Sequence, residues 1–328
     1  MKIQRLFFPD KGRCEVEDVQ LDEKIGFGEV VLKARKTLIS AGTELSMFTR
    51  THRGFDEPDF GYAKYPWKAG YLAISEVIDS TAKEIKTGSR VFSMSHHATY
   101  SKDKAENVVL VPDGLSDEHA CFYGLLNIAM TAPRLTPVRA GGNVVVIGMG
   151  IVGNLCAQLY NACGAGLVAG VDLSDKRLAK GAECGIGLSF NTGKKPLQEW
   201  VKDLGPRGAE YIIEAVGNSR TIDAALKSCA PRGFVVLLGS PRTKMEIDPY
   251  FDIHRHAISV VGAHANNVDT ATRKADAPLL MEWLRAGKIK VAPLITQRMH
   301  YTEGLKGYEG LRDKTDEYLG VILNYDAK

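Results

Sequence analysis

The sequence lacks several features that would assign it to whole classes of protein. Its six cysteines never form a Cys-x-x-Cys pair, which argues against a zinc knuckle or a disulfide framework. A net charge of +3 over 328 residues gives no basis for nucleic-acid binding. No apolar run is long enough to cross a bilayer, and the N-terminal residues do not resemble a secretory signal. We therefore expect a cytoplasmic protein that acts on a small molecule.

The patterns that are present are typical of a two-domain α/β protein. The chain is too long for one hydrophobic core, and its 45% hydrophobic and 25% charged residues are ordinary for a globular protein. Before residue 115 the sequence has short strand-like runs at Glu29–Ala34, Leu72–Ile78, Gly88–Met94 and Val108–Pro112. From Asn143 onward strands alternate with helices, which predicts a doubly wound parallel sheet.

A glycine motif opens this second part. The residues Gly148-Met149-Gly150-Ile151-Val152-Gly153 follow a predicted buried strand, Val144–Gly148, and begin a predicted helix, Ile151–Ala162. In such a motif the first glycine permits a tight turn, the second admits a pyrophosphate, and the third lets helix and strand pack closely. The motif in this setting predicts a dinucleotide site.

An acidic residue is expected at the end of the next strand. Asp172 ends the predicted strand Leu167–Asp172, about 20 residues after the last glycine, and Leu173 follows it. The Asp172 carboxylate would accept hydrogen bonds from the adenine ribose and repel a 2′-phosphate. This favours NAD over NADP, although Lys176 and Arg177 would weaken the preference.

Small residues stand at two later predicted strand ends, where ligands of doubly wound sheets bind. These are Val216-Gly217 and Gly239-Ser240. Each pair is either part of the cofactor site or an ordinary turn.

The chain resembles the medium-chain dehydrogenase/reductase superfamily over nearly its whole length. The landmarks are Ala41-Gly42-Thr43-Glu44, Ala69-Gly70-Tyr71, Gly88-Ser89-Arg90-Val91, Val111-Pro112-Asp113, Thr131-Ala132 and the glycine motif. The resemblance implies a GroES-like catalytic domain from residues 1–130 and 264–328 and a Rossmann NAD-binding domain from 131–263. It also implies an active site between the two, Thr131 at the cofactor, and a homodimer or homotetramer.

Zinc members of that superfamily carry metal ligands at positions where this chain has other residues. Ala41 and Tyr71 occupy two of the catalytic ligand positions, and Asn127 falls near the third. No cysteine occurs between Cys14 and Cys121, where the structural zinc lobe of the family would lie. We expect no zinc. The resemblance is to a zinc-lacking branch with sugar- and polyol-dehydrogenase-like members and the bacteriochlorophyllide hydroxyethyl dehydrogenase.

Without zinc, hydrogen-bond donors and a proton acceptor must handle the alcohol proton. Tyr71 is the first candidate, as a hydroxyl directed at the substrate or as a ring that fills the metal void. Thr43 matches the family hydroxyl that relays the proton. Glu44 either orients its neighbours, acts as a base, or pairs with a structural arginine. His96 is favoured over His97, since adjacent residues of an extended segment face opposite ways.

Substrate contacts are predicted from Asn127 and from the segment between Arg50 and Trp67. Phe55 and Trp67 would stack on a ring, and Arg53 would meet an anion. The alternative is a loop packed by its own aromatic side chains.

Together these features predict an NAD-dependent, zinc-independent dehydrogenase of a secondary alcohol, such as a sugar or polyol. Two alternatives stay open. One is an NAD(P)H-dependent enoyl or quinone reductase, and the other is a noncatalytic cofactor-binding protein of the same superfamily.

Overall fold

The computed structural model describes residues 1–57 and 59–326, without the side chains of residues 267 and 270. The chain divides into two compact units. The first comprises residues 1–124, 279–286 and 294–328, and the second comprises residues 125–278 and 287–293. The domain boundaries drawn from the sequence at residues 130 and 263 remain a prediction.

The first 120 residues form mainly strands, together with two short α-helices. The elements are β1 (Lys2–Phe8), β2 (Glu15–Gln20), β3 (Glu29–Leu38), α1 (Ala41–Phe48), β4 (Trp67–Lys68), β5 (Ala73–Ser80), β6 (Arg90–Ser93), β7 (Tyr100–Lys104), β8 (Val109–Leu110) and α2 (Asp117–Ala120). Strands are favoured where buried and less buried residues alternate, as at the end of β1, where Leu6 and Phe8 are buried and Phe7 between them is half-buried.

Helices and strands alternate through the middle of the chain. The elements are α3 (Tyr123–Leu135), β9 (Asn143–Ile147), α4 (Ile151–Ala162), β10 (Leu167–Asp172), α5 (Asp175–Glu183), β11 (Leu188–Asn191), α6 (Leu197–Trp200), β12 (Ala209–Glu214), α7 (Ser219–Ser228), β13 (Cys229–Leu237), β14 (Ser259–Gly262) and α8 (Thr270–Arg285). The chain continues with β15 (Ile295–His300), α9 (Gly304–Asp313) and β16 (Gly320–Asn324).

The second unit contains a six-stranded parallel sheet in the order β11-β10-β9-β12-β13-β14. Every residue of β9 is buried, as expected for a central strand covered on both faces. The predicted doubly wound sheet is thus confirmed, and α4 and β10 have the predicted bounds.

The first unit contains a larger sheet in the order β15-β16-β3-β5-β6-β8, with β7 also paired to β3, and a three-stranded sheet β2-β1-β4. The C-terminal strand β16 lies antiparallel to β3, with Ile322 opposite Leu38. The β-rich first domain of the predicted fold class is confirmed. One of its cores contains Phe8, Phe48, Trp67 and Tyr308.

The sequence from Ala277 to Ala286, which is followed by Gly287, predicts a helix, and the observed helix begins earlier. α8 starts at residue 270, where the Asp269 side chain accepts a hydrogen bond from the Thr272 amide at 2.9 Å. Asp269 thus acts as a helix cap, while Pro278 lies inside the helix. Among the described residues, no helix has the length and apolar character needed to span a membrane.

Candidate active site

The glycine motif forms a tight turn between β9 and α4. Gly148 has a φ of +94°, a conformation that favours glycine. A Cβ on Gly153 would lie 1.8 Å from the Gly148 carbonyl oxygen, so the third glycine is required by packing. A Cβ on Gly150 would meet no atom within 4 Å. The space beside Gly150, at the amide end of the α4 residues Ile151 and Val152, can therefore receive a phosphate group.

Asp172 is held in place by the turn that it follows. Its carboxylate accepts hydrogen bonds from the Met149 amide at 2.7 Å and from the Ser174 amide at 2.9 Å. Each oxygen keeps a second lone pair, so the carboxylate can still accept hydrogen bonds from ribose hydroxyls. Leu173 is 72% exposed beside it, and Arg177 lies on the first turn of α5.

The ends of β12 and β13 approach each other through glycines. A Cβ on Gly217 would lie 2.3 Å from the Ser240 carbonyl oxygen, and one on Gly239 would lie 2.5 Å from the Gly217 nitrogen. Val216 is exposed beside them. The close approach explains the small residues that the sequence places at these strand ends.

Glu214, which the sequence analysis did not single out, organises this turn. Its buried carboxylate accepts hydrogen bonds from the Val216 amide at 2.9 Å, the Gly217 amide at 2.9 Å and the Thr221 hydroxyl at 2.7 Å. Burial raises the pKa of Glu214 above its usual value, although these hydrogen bonds oppose the shift. A buried acid directly before a predicted ligand-binding turn was the signal available in the sequence.

Thr131 lies on α3 and is 1% exposed. Its hydroxyl oxygen has no hydrogen-bond partner among the described residues. An unpaired buried hydroxyl is unfavourable and is often satisfied by a ligand or a water molecule. Together with the open space at Gly150, this hydroxyl fits a bound nicotinamide dinucleotide.

In the first unit, hydroxyl groups surround the phenol of Tyr71. The Tyr71 oxygen lies 2.5 Å from the Ser40 hydroxyl and 3.4 Å from the Thr43 hydroxyl. Burial raises the pKa of Tyr71, while the two hydroxyl contacts lower it and the charge of Glu44 raises it. The phenol therefore stays protonated near neutral pH and can donate a hydrogen bond.

His96 is exposed and is fixed through the peptide that precedes Tyr71. Its Nδ1 atom lies 2.9 Å from the Gly70 carbonyl oxygen. Because a carbonyl oxygen only accepts, Nδ1 carries the proton and Nε2 keeps its lone pair in the neutral ring. Desolvation lowers the pKa of His96, so the neutral form predominates at pH 7.

His97, the neighbour that the sequence analysis did not favour, is buried against Glu44. Its Nε2 donates to the Glu44 carboxylate at 3.1 Å, and the Tyr308 hydroxyl donates to the same oxygen at 2.6 Å. One alternative left open for Glu44 was an ion pair with a structural arginine, and none of these contacts is with an arginine. Tyr308 lies 264 residues away along the chain, so no local pattern could indicate this cluster.

A family model described as zinc-binding dehydrogenase matches residues 152–285. Alcohol dehydrogenase-like 7 of Arabidopsis thaliana is 23% identical over 298 residues, which is 86% of this chain and 75% of that protein. Sorbitol dehydrogenase 1 of Saccharomyces cerevisiae is 27% identical over 209 residues, 62% of this chain and 57% of that protein. The chain is thus similar to alcohol and polyol dehydrogenases, and the family-model match covers its middle segment.

Solved structures of several dehydrogenases share the fold of this chain. Galactitol-1-phosphate dehydrogenase of Escherichia coli superposes with a TM-score of 0.85 at 19% identity, covering 98% of this chain and all of that chain. A Sinorhizobium meliloti protein described as a zinc-binding dehydrogenase and bound to NADP superposes with a TM-score of 0.83 at 18% identity, covering 99% and 100%. An alcohol dehydrogenase of E. coli in complex with NADH has a TM-score of 0.83 at 18% identity, covering 99% of each chain.

The positions at which the resemblance places zinc ligands do not form a metal-binding set in this chain. Ala41 and Tyr71 offer no Cys, His or carboxylate ligand. Asn127 donates from its amide nitrogen to the Arg273 carbonyl at 3.2 Å. In the part of the chain that the structure describes, no three His, Cys, Asp or Glu side chains are grouped to hold a metal. The residues present therefore do not fit a catalytic zinc.

The predicted substrate contacts lie in different settings. Trp67 is 8% exposed and stacks on Phe8 in a core of the first unit, with ring centroids 5.4 Å apart. Phe55 is partly buried, and the Arg50 guanidinium lies 5.2 Å above its ring. Arg53 is exposed, with a guanidinium nitrogen 3.8 Å from the Glu57 carboxylate. Their role toward a substrate stays a prediction.

Proposed function

We propose that the protein is an NAD-dependent dehydrogenase that interconverts a secondary alcohol, such as a sugar or polyol carbon, and the corresponding ketone without zinc. The observation that carries this proposal is the set of hydroxyls of Ser40, Thr43 and Tyr71 at a ligand position of the zinc enzymes. The names of relatives that act on sorbitol and on galactitol 1-phosphate support the substrate class.

The proposed cofactor residues are those of the turn at Gly148–Gly153, together with Asp172 and Thr131. A bound nicotinamide dinucleotide would supply the hydride acceptor for the alcohol carbon, or the hydride donor for the ketone. Gly150 leaves room for the phosphates, and the carboxylate of Asp172 would hold the ribose. Relatives in this fold bind NADP or NADH, so we base the preference for NAD on Asp172 alone.

The proton follows a separate route in the proposed reaction. During oxidation the alcohol proton passes to the neutral Nε2 atom of His96, while Tyr71 donates a hydrogen bond to the oxygen that becomes negative. With the Ser40 hydroxyl donating to the Tyr71 oxygen, the phenolic proton, which is directed at the Thr43 hydroxyl at 3.4 Å, would turn to the substrate oxygen. During reduction the protonated Tyr71 stabilises the forming alkoxide and His96 returns the proton.

The test is a panel of sorbitol, xylitol, idonate and galactitol 1-phosphate, each with NAD and with NADP, followed by nicotinamide absorbance. We expect turnover of at least one compound, faster with NAD. Tyr71→Phe should lower kcat by about 100-fold and leave the affinity for NADH unchanged. No turnover across the panel, although NADH binds, would favour a noncatalytic role. Preferential use of NADP would overturn the cofactor assignment.

We further propose a homodimer formed in a reducing compartment such as the cytoplasm. β14 lies at one edge of the parallel sheet and exposes Val260, and Tyr250 and Phe251 are exposed in the same unit. A partly apolar strand at the end of a sheet is a surface for pairing with a second copy. Sedimentation equilibrium should give a mass above that of one chain, and Val260→Lys should lower it.

A further inference from the structure

Glu44 is a fully buried carboxylate with three hydrogen-bond donors. One oxygen accepts from the Ser40 amide at 2.7 Å, and the other accepts from His97 at 3.1 Å and Tyr308 at 2.6 Å. Burying a carboxylate is unfavourable unless donors satisfy it. The donors belong to separate parts of the chain, so the carboxylate connects these segments.

The first branch leads from Glu44 to the hydroxyl beside Tyr71. Ser40 precedes α1 as its N-cap, yet its hydroxyl makes no capping hydrogen bond. The Glu44 side chain instead reaches back to the Ser40 amide, and the serine hydroxyl is turned to the phenol of Tyr71 at 2.5 Å. Glu44 therefore fixes the backbone that presents the Ser40 hydroxyl.

The second branch leads from Glu44 to the backbone of Tyr71. The His97 ring packs against Gly70, where a Cβ would lie 2.6 Å from the Cγ atom of His97. The His97 amide also donates to the Ala69 carbonyl at 2.8 Å. Since Gly70 directly precedes Tyr71, the imidazole held by Glu44 sets the position from which the phenol extends.

We propose that Glu44 is a positioning residue that aligns the Tyr71 phenol, through Ser40 on one side and through His97 on the other. This inference rests on the proposed role of Tyr71 in the reaction. The Glu44 carboxylate itself accepts no hydrogen bond from the Ser40 hydroxyl or from the Tyr71 hydroxyl. Its removal should therefore misplace the phenol without touching the cofactor site.

A substrate-free measurement tests the alignment directly. Protein labelled with tyrosine carrying ¹³C at the ζ carbon gives one NMR signal per ordered tyrosine, and the Tyr71 signal is the one absent from Tyr71→Phe. Glu44→Gln should shift or broaden this signal. Tyr160→Phe, which removes the buried hydrogen bond to Thr136 in the other unit, serves as the control and should leave it in place. An unchanged Tyr71 signal in Glu44→Gln would overturn the inference.

A double-mutant cycle tests whether the alignment matters for turnover. The assay uses sorbitol with NAD, or the panel compound that is turned over fastest if sorbitol is inactive. Glu44→Gln should lower kcat about tenfold with KM nearly unchanged, and should cause no further loss when added to Tyr71→Phe. Equal losses in both backgrounds would contradict action through Tyr71.

Two outcomes separate this inference from the proposed function. If Tyr71→Phe retains full turnover, the catalytic role of Tyr71 is wrong and the inference falls with it. If Tyr71→Phe is impaired but Glu44→Gln is not, only the inference fails. Should Glu44→Gln not fold, His97→Gln breaks the second branch alone and should show the same dependence on Tyr71; equal losses with and without Tyr71 would contradict the inference.

Discussion

The hydroxyl of Ser40 lies 2.5 Å from the phenolic oxygen of Tyr71, although Ser40 occupies the N-cap position of α1. An N-cap serine ordinarily accepts a hydrogen bond from an amide of the first helical turn. Here the Glu44 carboxylate binds the Ser40 amide, and the hydroxyl is left for the phenol. A residue that would usually stabilise a helix is thus available to orient a candidate catalytic group.

Ser40→Ala should therefore impair turnover with little effect on the α1 helix. We expect kcat to fall about tenfold, the equivalent of one lost hydrogen bond of about 1.4 kcal/mol. Steady-state kinetics and circular dichroism check the two parts of this prediction.

The matched control is Ser116→Ala, because the Ser116 hydroxyl does cap a helix by accepting from the His119 amide at 3.3 Å. That variant should lose about 1 kcal/mol of stability and keep its turnover. A Ser40→Ala enzyme with normal kcat would argue against the hydroxyl pair.

The pH dependence of alcohol oxidation should report on His96. Desolvation, and to a smaller extent Lys68, lowers the pKa of its imidazole below the usual 6.5. The neutral ring that accepts the proton is present above that pKa and is lost as the pH falls through it. We therefore expect kcat to be constant near pH 7 and to decline only below pH 6.5.

His96→Gln should abolish most turnover together with this acid limb, whereas the exposed His256→Gln should retain both. An acid limb that persists unchanged in His96→Gln would show that another group titrates.

The glycine motif allows stability and cofactor binding to be separated. Gly153→Ala should lower both, because its Cβ would lie 1.8 Å from the Gly148 carbonyl oxygen. Gly150→Ala should fold with a normal Tm, since no atom lies within 4 Å of its Cβ, but should bind NADH about tenfold more weakly.

Gly187→Ala, another position in the same unit with open space around its Cβ, should leave both Tm and NADH affinity unchanged. Thermal unfolding and fluorescence titration measure the two quantities. Normal NADH binding by Gly150→Ala would place the phosphates elsewhere.

The nucleotide-binding half was predictable because its signals are local. A buried strand, a glycine turn, a helix and a second strand follow one another within 30 residues, and both α4 and β10 have the predicted bounds. The start of α8 was missed, because the cap at Asp269 lies upstream of the segment from which the helix was predicted.

The surroundings of Tyr71 were only partly predictable. Thr43 and Glu44 were recognised from a motif, but the partners of Glu44 come from residues 53 and 264 positions away. Alternation correctly implied that His96 and His97 face opposite ways. Which of the two is buried depends on the packing of Gly70 against His97, and the sequence carries no local signal for it.

Zinc-independent turnover is tested most directly by an assay of zinc-free protein. The purified protein is treated with a chelator, its zinc content is determined by mass spectrometry, and the same sample is assayed with the active panel compound and NAD. We expect undiminished turnover at far less than one zinc per chain. Turnover that disappears with the chelator and returns on addition of zinc would contradict this expectation.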